Sequence, residues 1–169
     1  MTIELSPPWP PARDAEHMGE ELRAAMREIA ASVAVVTTGA SVEPLGATVT
    51  SVTSVSLAPP MLVVSLNRNL RVSRAIREGR VFRINFLSSH DEDVARAFSG
   101  QTPACGRFGV GDWDIDEPGG PLLRSAVAAV LCRLTRVVPC GSHILVLGLA
   151  EAVSTGAGVP LLYRRGGYD

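Results

Sequence analysis

The chain has 169 residues, 46% of them hydrophobic, and a mean hydropathy of +0.21, which together indicate one globular domain with a sizeable core. A formal net charge of −1 and an isoelectric point near 6.3 give no electrostatic basis for binding nucleic acid or an anionic membrane. No apolar run approaches the roughly 20 residues that span a bilayer, and the start lacks a secretion signal, so we expect a cytoplasmic protein.

A proline-rich segment opens the chain, and residues 1–18 are predicted to form a flexible arm before a folded domain at residues 19–169. Helical spacing of apolar residues from Glu20 to Ala31 predicts an amphipathic helix that buries one stripe, formed by Leu22, Ala25, Met26 and Ile29. The three cysteines, Cys105, Cys132 and Cys140, are odd in number and lack metal-ligand spacing. They are interpreted as reduced thiols, and no metal site is expected.

The segment from Gly46 to Pro60, GATVTSVTSVSLAPP, is predicted to be part of one long strand with hydroxyl side chains at period two. One face would carry Thr48, Thr50, Ser54 and Ser56, and the other mainly Ala47, Val49, Val55 and Leu57. Because a buried hydroxyl needs a hydrogen-bond partner, this face favours a polar ligand along the strand. An exposed sheet face coated with Ser and Thr is the alternative.

A strand, a turn and a helix follow. MLVVSL has the composition of a buried strand, Asn69 is a good N-cap and Gly79 a good stop for a helix at residues 70–78. Arginines stand at positions 68, 71 and 74, and guanidinium groups beside free helix N–H groups suit a phosphate. A solvated basic helix face is the alternative, but together with the hydroxyl strand the pattern favours a phosphorylated cofactor lying along a sheet.

The other elements indicate a barrel. Strands are predicted at 33–38, 45–57, 61–66, 81–86, 126–138, 143–153 and 160–164, and a further helix at 90–98 opens with the capping box Ser89 to Glu92. Many strands with few short helices argue for a mainly β barrel rather than a doubly wound sheet. No glycine-rich dinucleotide fingerprint follows any of these strands.

The motifs, in order, resemble the flavin reductase domain family, the reductase components of two-component flavin-dependent monooxygenases. The resemblance rests on SVAVVTT (32–38), GATVTSVTSVSLAPPMLVVSLNR (46–68), FRINFLS (82–88), VARAFSG (94–100), RF (107–108), GG-PLL (119–123), GSHILVLGLAEAV (141–153) and PLLYRRGGY (160–168). It implies an FMN-binding split β-barrel, Greek-key-like and homodimeric. It also implies hydride transfer from NADH or NADPH to FMN or FAD, with reduced flavin supplied to a separate monooxygenase.

The resemblance also implies residue roles. Along the flavin ribityl chain and ring edge it places Thr48, Val49, Thr50, Ser51, Ser65, Leu66 and Asn67, with Arg71 at the phosphate and Asn85 at a strand end near the flavin. It puts His143 at the nicotinamide, as the catalytic candidate, with Phe108 and Tyr168 as apolar walls. Many relatives have Asn in place of Thr50, and they often show a Ser/Thr pattern near Asn69, so the choice between FMN and FAD stays open.

Alternatives remain for several of these residues and for the function. Asn85 could satisfy a turn, His143 could bond a neighbouring backbone group, and Phe108 and Tyr168 could belong to the core or an interface. Arg107, Arg164 and Arg165 could reach an adenosine phosphate, although solvation at the surface is the favoured interpretation. The other functional classes are an oxidase with prosthetic flavin and a non-catalytic flavin- or haem-binding module. High Arg and Ala usage with low lysine content suggests a GC-rich bacterial source.

Overall fold

The computed structural model describes residues 15–39 and 43–169, so most of the predicted arm lies outside the described residues. The helices are α1 (Ala15–Arg27), α2 (Arg71–Gly79) and α3 (Glu92–Arg96); α3 continues into a π-helical turn (Ala97–Gln101), and a 3-10 helix follows (Ala104–Gly109). The strands are β1 (Ala31–Ser32), β2 (Ala34–Thr38), β3 (Leu45–Val49), β4 (Val52–Leu57), β5 (Pro60–Asn67), β6 (Val81–Phe86), β7 (Trp113–Asp114), β8 (Leu122–Leu123), β9 (Ala128–Cys140), β10 (His143–Thr155), β11 (Leu162–Arg164) and β12 (Gly167–Tyr168).

Seven antiparallel strands form the main sheet in the order β3-β2-β6-β9-β10-β5-β4. A three-stranded sheet, β1-β11-β12, and the β7-β8 ladder are its two satellites. The mainly β architecture predicted from the strand-rich sequence is confirmed, and it is that of the split barrel.

The single long strand predicted at 45–57 is wrong, because the chain changes edges within it. β3 pairs with β2 at one edge of the sheet and β4 pairs with β5 at the other. Thr50 and Ser51 form the crossing between them. Ser51 is tied to β5, since the Ser65 N–H donates to the Ser51 carbonyl at 3.1 Å and the Ser51 hydroxyl donates to the Ser65 carbonyl at 3.2 Å. The four predicted hydroxyls therefore do not share one face.

Two hydrophobic cores lie on the two sides of β2, as the period of two requires. Ala34 and Val36 face the core inside the barrel, where α2 adds Val72 and Ile76. Val33 and Val35 belong to a second core under α3 and the aromatic residues that follow it. Burying each Val or Ile side chain stabilises the fold by about 1.5–3 kcal/mol. Packing against the two cores therefore stabilises β2 on both of its faces.

The helix ends differ from those predicted. Leu70, not Asn69, is the N-cap of α2, because the Asn67 side chain accepts the Asn69 N–H at 2.9 Å and forms a turn before the helix. Arg80, with φ of 60°, ends the helix one residue after Gly79. The capping box predicted from Ser89 to Glu92 is also wrong.

Asp91 is the N-cap of α3, and its carboxylate accepts the Ser88 N–H at 2.8 Å and the Ser125 hydroxyl at 2.7 Å. It thereby ties the start of α3 to the segment before β9.

Helix α1 does not bury its apolar stripe within one chain. Leu22 is 61% exposed and Met26 is 55% exposed, and Met18 and Ile29 are exposed beside them. The prediction of a helix near residues 20–31 is confirmed with an earlier start and end, while the predicted burial is not found in the single chain. Within the part of the chain that the structure describes, no helix is long and apolar enough to cross a membrane.

Candidate functional site

A cavity of about 390 Å³ lies where the chain crosses from β3 to β4, and its volume is in the range of small-molecule sites. Eight of the twelve residues predicted from the sequence line it: Thr48, Val49, Thr50, Ser51, Ser65, Leu66, Asn67 and His143. Residues from the β3–β4 crossing, the end of β5 and the start of β10 thus meet at one place. We call this the crossing cavity.

Donor groups line one wall of the crossing cavity. Within residues 15–39 and 43–169, the backbone N–H groups of Thr50 and Ser51 have no protein acceptor. The Thr48 hydroxyl is already engaged, donating to the Ala95 carbonyl at 2.8 Å. The wall therefore offers two backbone donors and the Thr50 hydroxyl, which suits the carbonyl and ring nitrogen acceptors of a planar heterocycle.

Apolar groups form the base of the crossing cavity. Val49 and Leu66 are both buried, at 9% and 1% exposure, and the buried Phe98 also lines the cavity. Phe98 belongs to an aromatic cluster in which Phe108 lies edge-on at 4.9 Å and Trp113 at 5.2 Å between ring centroids. A donor wall over an apolar base fits an aromatic ring with polar edges.

Gly46 allows Phe98 to reach this position. A Cβ added to Gly46 would lie 2.7 Å from the Phe98 ring, closer than real Cβ contacts. The missing side chain on β3 therefore makes room for the aromatic wall of the cavity.

His143 is the first residue of β10 and lies opposite Asn67 of β5 and Cys140 of β9. Its side chain is exposed at the cavity, and Nδ1 lies 2.9 Å from the Ser142 hydroxyl. The partner is thus a side chain and not the neighbouring backbone group considered from the sequence. With Nδ1 engaged, Nε2 has no protein partner within the described ranges and can meet a ligand.

The start of α2 offers an anion site beside the crossing cavity. The N–H groups of Arg71 and Val72 have no acceptor in the described part of the chain, and the helix dipole places positive potential there. Leu70, the N-cap, lines the cavity itself. Two further cavities, of about 670 and 260 Å³, lie beside the crossing cavity, and Arg71 lines both. Arg71 also pairs with Glu43, so it stands next to the predicted phosphate position.

Asn85 is fully buried and does not line the crossing cavity. Its amide nitrogen donates to the Val35 carbonyl at 3.2 Å, the Thr37 hydroxyl at 3.2 Å and the Pro121 carbonyl at 3.3 Å. Its amide oxygen accepts the Leu123 N–H at 3.0 Å. This geometry agrees with the structural alternative, in which Asn85 satisfies the backbone around a turn.

The two predicted aromatic walls lie elsewhere. Phe108 lines an adjacent cavity of about 260 Å³ with Arg107 and Leu70, and its ring supports Phe98. Tyr168 packs against Tyr163 and beneath the Arg96 guanidinium, at 5.3 Å in each case, away from the crossing cavity. Burial raises the pKa of Tyr168, so its phenol stays protonated at neutral pH.

Sequence reasoning missed six lining residues: Ala47, Leu70, Phe98, Ser99, Gly100 and Arg107. For Arg107 the sequence favours a solvated position over contact with an adenosine phosphate, yet the residue is half-buried and its Nε donates to the Thr102 carbonyl at 3.1 Å. Phe98, Ser99 and Gly100 lie in the π-helical turn, which has no sequence period of its own. Two signals were available: the motif VARAFSG (94–100), which contains all three residues, and Gly100, whose φ of 109° favours glycine.

Thiol and metal chemistry have little support in the described residues. No group of three or more His, Cys, Asp or Glu that could hold a metal occurs there. Cys132 is buried, and desolvation raises the pKa of its thiol to about 12, so it is not a thiolate at neutral pH. Cys105 and Cys140 are exposed free thiols outside the lining of the crossing cavity.

Comparison with known proteins gives one consistent family. The family model described as "Flavin reductase like domain" matches residues 26–169. The FMN reductase (NADH) RutF of Agrobacterium fabrum is 34% identical over 146 residues, covering 86% of this chain and 84% of that protein. The corresponding reductase of Enterobacter sp. is 34% identical over 135 residues, covering 80% and 82%.

Solved structures agree with the sequence comparison. The NADH:FAD oxidoreductase SgcE6 of Streptomyces globisporus superposes with a TM-score of 0.83 at 29% identity, covering 96% of this chain and 98% of that chain. The flavin reductase HpaC, solved with NADP+, superposes with a TM-score of 0.81 at 26% identity, covering 90% and 97%.

Proposed function

The chain belongs to the flavin reductase like domain family, and on that basis we propose that it is an NAD(P)H:flavin oxidoreductase that reduces FMN or FAD. The observation that carries the proposal is the crossing cavity, in which an apolar base, unpaired backbone donors, an anion site and an exposed histidine occur together. The sequence relatives are named for FMN and the SgcE6 structure for FAD, and NADH appears in both names.

The residues of the crossing cavity fit a flavin. The unpaired N–H groups of Thr50 and Ser51 would donate to the ring edge, and Leu66 and Val49 would contact its apolar face. The flavin phosphate would be bound by the free N–H groups at the start of α2, with Arg71 beside it. Ser65 and Asn67 line the path between ring and phosphate.

A bound flavin accepts a hydride at N5 from C4 of the nicotinamide, so the protein has to position the two rings rather than supply a nucleophile. His143 would donate a hydrogen bond to the nicotinamide nucleotide through Nε2, while the Ser142 hydroxyl fixes its ring orientation. Phe98, as an apolar lining residue, would limit water access to the rings.

Reduced flavin would leave and pass to a separate flavin-dependent monooxygenase. The crossing cavity presents few charged groups and lies open at the surface, which favours moderate flavin affinity and therefore release. The same proposal includes a homodimer and a cytoplasmic location; the exposed apolar stripe of α1 supports the dimer, because monomers seldom leave such a surface uncovered.

The test is oxidation of NADH and NADPH, followed at 340 nm with purified protein and added FMN, FAD or riboflavin under air. We expect turnover that rises and saturates with the concentration of added flavin. Turnover by the purified protein without added flavin would instead identify an oxidase with prosthetic flavin. Flavin binding without oxidation of either nucleotide would identify a binding module, and both results contradict the proposal.

A further inference from the structure

A second cavity, of about 670 Å³, adjoins the crossing cavity and exceeds it in volume. Leu70 lines both cavities and is 40% exposed. We call the second one the arginine cavity, because Arg68, Arg71, Arg74 and Arg77 line it. FMN bound as proposed would fill the crossing cavity and place its one phosphate at the start of α2, on the border of the arginine cavity, leaving the rest of that cavity unfilled.

The arginine cavity concentrates positive charge in a chain that is slightly acidic. Four of the 16 basic residues line it, against two carboxylates, Glu43 and Glu78, which leaves a local excess of two positive charges on a chain of net charge −1. A cavity of this charge and size, open to the flavin site, suits an anionic ligand that continues beyond one phosphate.

Two of the arginines are free to bind such a ligand. Arg71 pairs with Glu43, and Arg77 Nε donates to the Ser73 carbonyl at 3.3 Å. The guanidinium groups of Arg68 and Arg74 form no hydrogen bond or ion pair with any residue of the described ranges. Arginine is also the side chain whose planar fork best matches phosphate oxygens.

The ligand chemistry that fits is an adenosine diphosphate group. A second phosphate would meet Arg68 and Arg74, and the apolar side chains of Leu45, Leu70 and Ala75 offer a surface for an adenine ring. FAD carries this group on the phosphate side of its flavin, which is the side on which the arginine cavity lies. NADH carries the same group, so the two sources have to be separated by experiment.

We propose that the arginine cavity binds the ADP portion of FAD and that the protein consequently binds FAD more tightly than FMN. The proposal rests on the proposed function, because it places the flavin ring in the crossing cavity. It identifies Arg68 and Arg74 as the residues that determine flavin specificity.

The test compares the Kd values of FMN and FAD, from quenching of flavin fluorescence, for the wild-type chain and for Arg68→Gln/Arg74→Gln. The control is Arg136→Gln, since Arg136 is also exposed and unpaired within the described residues but lies on β9, outside all three cavities. We expect the double variant to weaken FAD binding by about tenfold or more, while the Kd of FMN changes by less than about twofold. Arg136→Gln should change neither value.

Three results would overturn the proposal. Equal Kd values for FMN and FAD in the wild-type chain would remove the preference. Equal weakening of both flavins in the double variant would assign the arginines to the phosphate that FMN and FAD share. A raised KM for NADH with riboflavin as acceptor, at unchanged FAD affinity, would assign the cavity to the nicotinamide nucleotide.

The binding measurement needs no turnover, so a failure of flavin reduction would be seen separately from a failure of flavin discrimination. Melting curves establish that both variants are folded, as we expect because the double variant exchanges two exposed arginines and the control exchanges one.

Discussion

At the residue scale, His143 is the side chain whose proposed role can be tested most directly. Its Nδ1 is engaged by Ser142 and its Nε2 is open at the crossing cavity. We expect His143→Ala to raise the KM for NADH by up to about tenfold, the cost of one lost hydrogen bond, with little change in flavin Kd. The assay is steady-state oxidation of NADH at saturating flavin.

The control for this variant is His90→Ala, because His90 is exposed at the start of α3 and lines none of the three cavities. An unchanged KM for NADH in His143→Ala would remove the histidine from the nicotinamide site.

For Asn85 we expect an effect on stability and not on ligand binding, since its hydrogen bonds join β2 to Pro121 and to Leu123 of β8. Asn85→Leu leaves the buried Leu123 N–H without a partner and removes the amide donor shared by the Val35 carbonyl, the Thr37 hydroxyl and the Pro121 carbonyl. The Thr37 hydroxyl still donates to the Pro121 carbonyl, and each group left unsatisfied costs about 1–3 kcal/mol. We expect the free energy of unfolding, from urea titration, to fall by about 3 kcal/mol, while flavin Kd measured in the folded state stays within about twofold. A loss of flavin affinity at unchanged stability would instead place Asn85 at the flavin.

At the element scale, β3 depends on the absence of a side chain at Gly46. In Gly46→Ala the new methyl group would press on the buried Phe98 ring, and overpacking of this kind costs about 1–3 kcal/mol. We expect that loss in the free energy of unfolding, together with weaker flavin binding, because Phe98 forms the cavity wall.

The matched control is Gly79→Ala, since nothing lies within 4 Å of a Cβ at Gly79 near the end of α2. That variant should be neutral or slightly stabilising. Equal losses in the two variants would show that the contact with Phe98 has no special cost.

The elements also show how far the sequence could predict this protein. Period-two patterns located the strands, because side chains of β2 alternate between two cores, and the apolar run of β5 is buried. The break at Thr50 and Ser51 could not be predicted, since the hydroxyl pattern misses only Val52 and resumes at Ser54. Only the pairing of β3 and β4 with different partners reveals the break. Lining residues in the π-helical turn escaped prediction for the same reason, because tertiary packing and not local pattern brings them to the cavity.

At the scale of the whole molecule, the exposed stripe of α1 is the feature that a single chain leaves unexplained. Leu22→Glu/Met26→Glu would place two carboxylates on that stripe. We expect light scattering coupled to size-exclusion chromatography to give twice the 17.8 kDa chain mass for the wild-type protein and a single-chain mass for the variant. Arg23→Gln, an exposed change on the same helix, serves as control, and a variant that remains dimeric would place the interface elsewhere.

The order of strands in the main sheet also constrains how the chain can fold while it is being synthesised. The two long strands β9 and β10 occupy the middle of the sheet, between β6 on one side and β5 on the other. A ribosome-bound chain that ends before Ala128 can therefore make only two separate fragments, β3-β2-β6 and β5-β4, each with an unpaired inner edge. The strands that precede Ala128 have to wait for β9 and β10 before the core can close, so we expect this protein to fold late in translation.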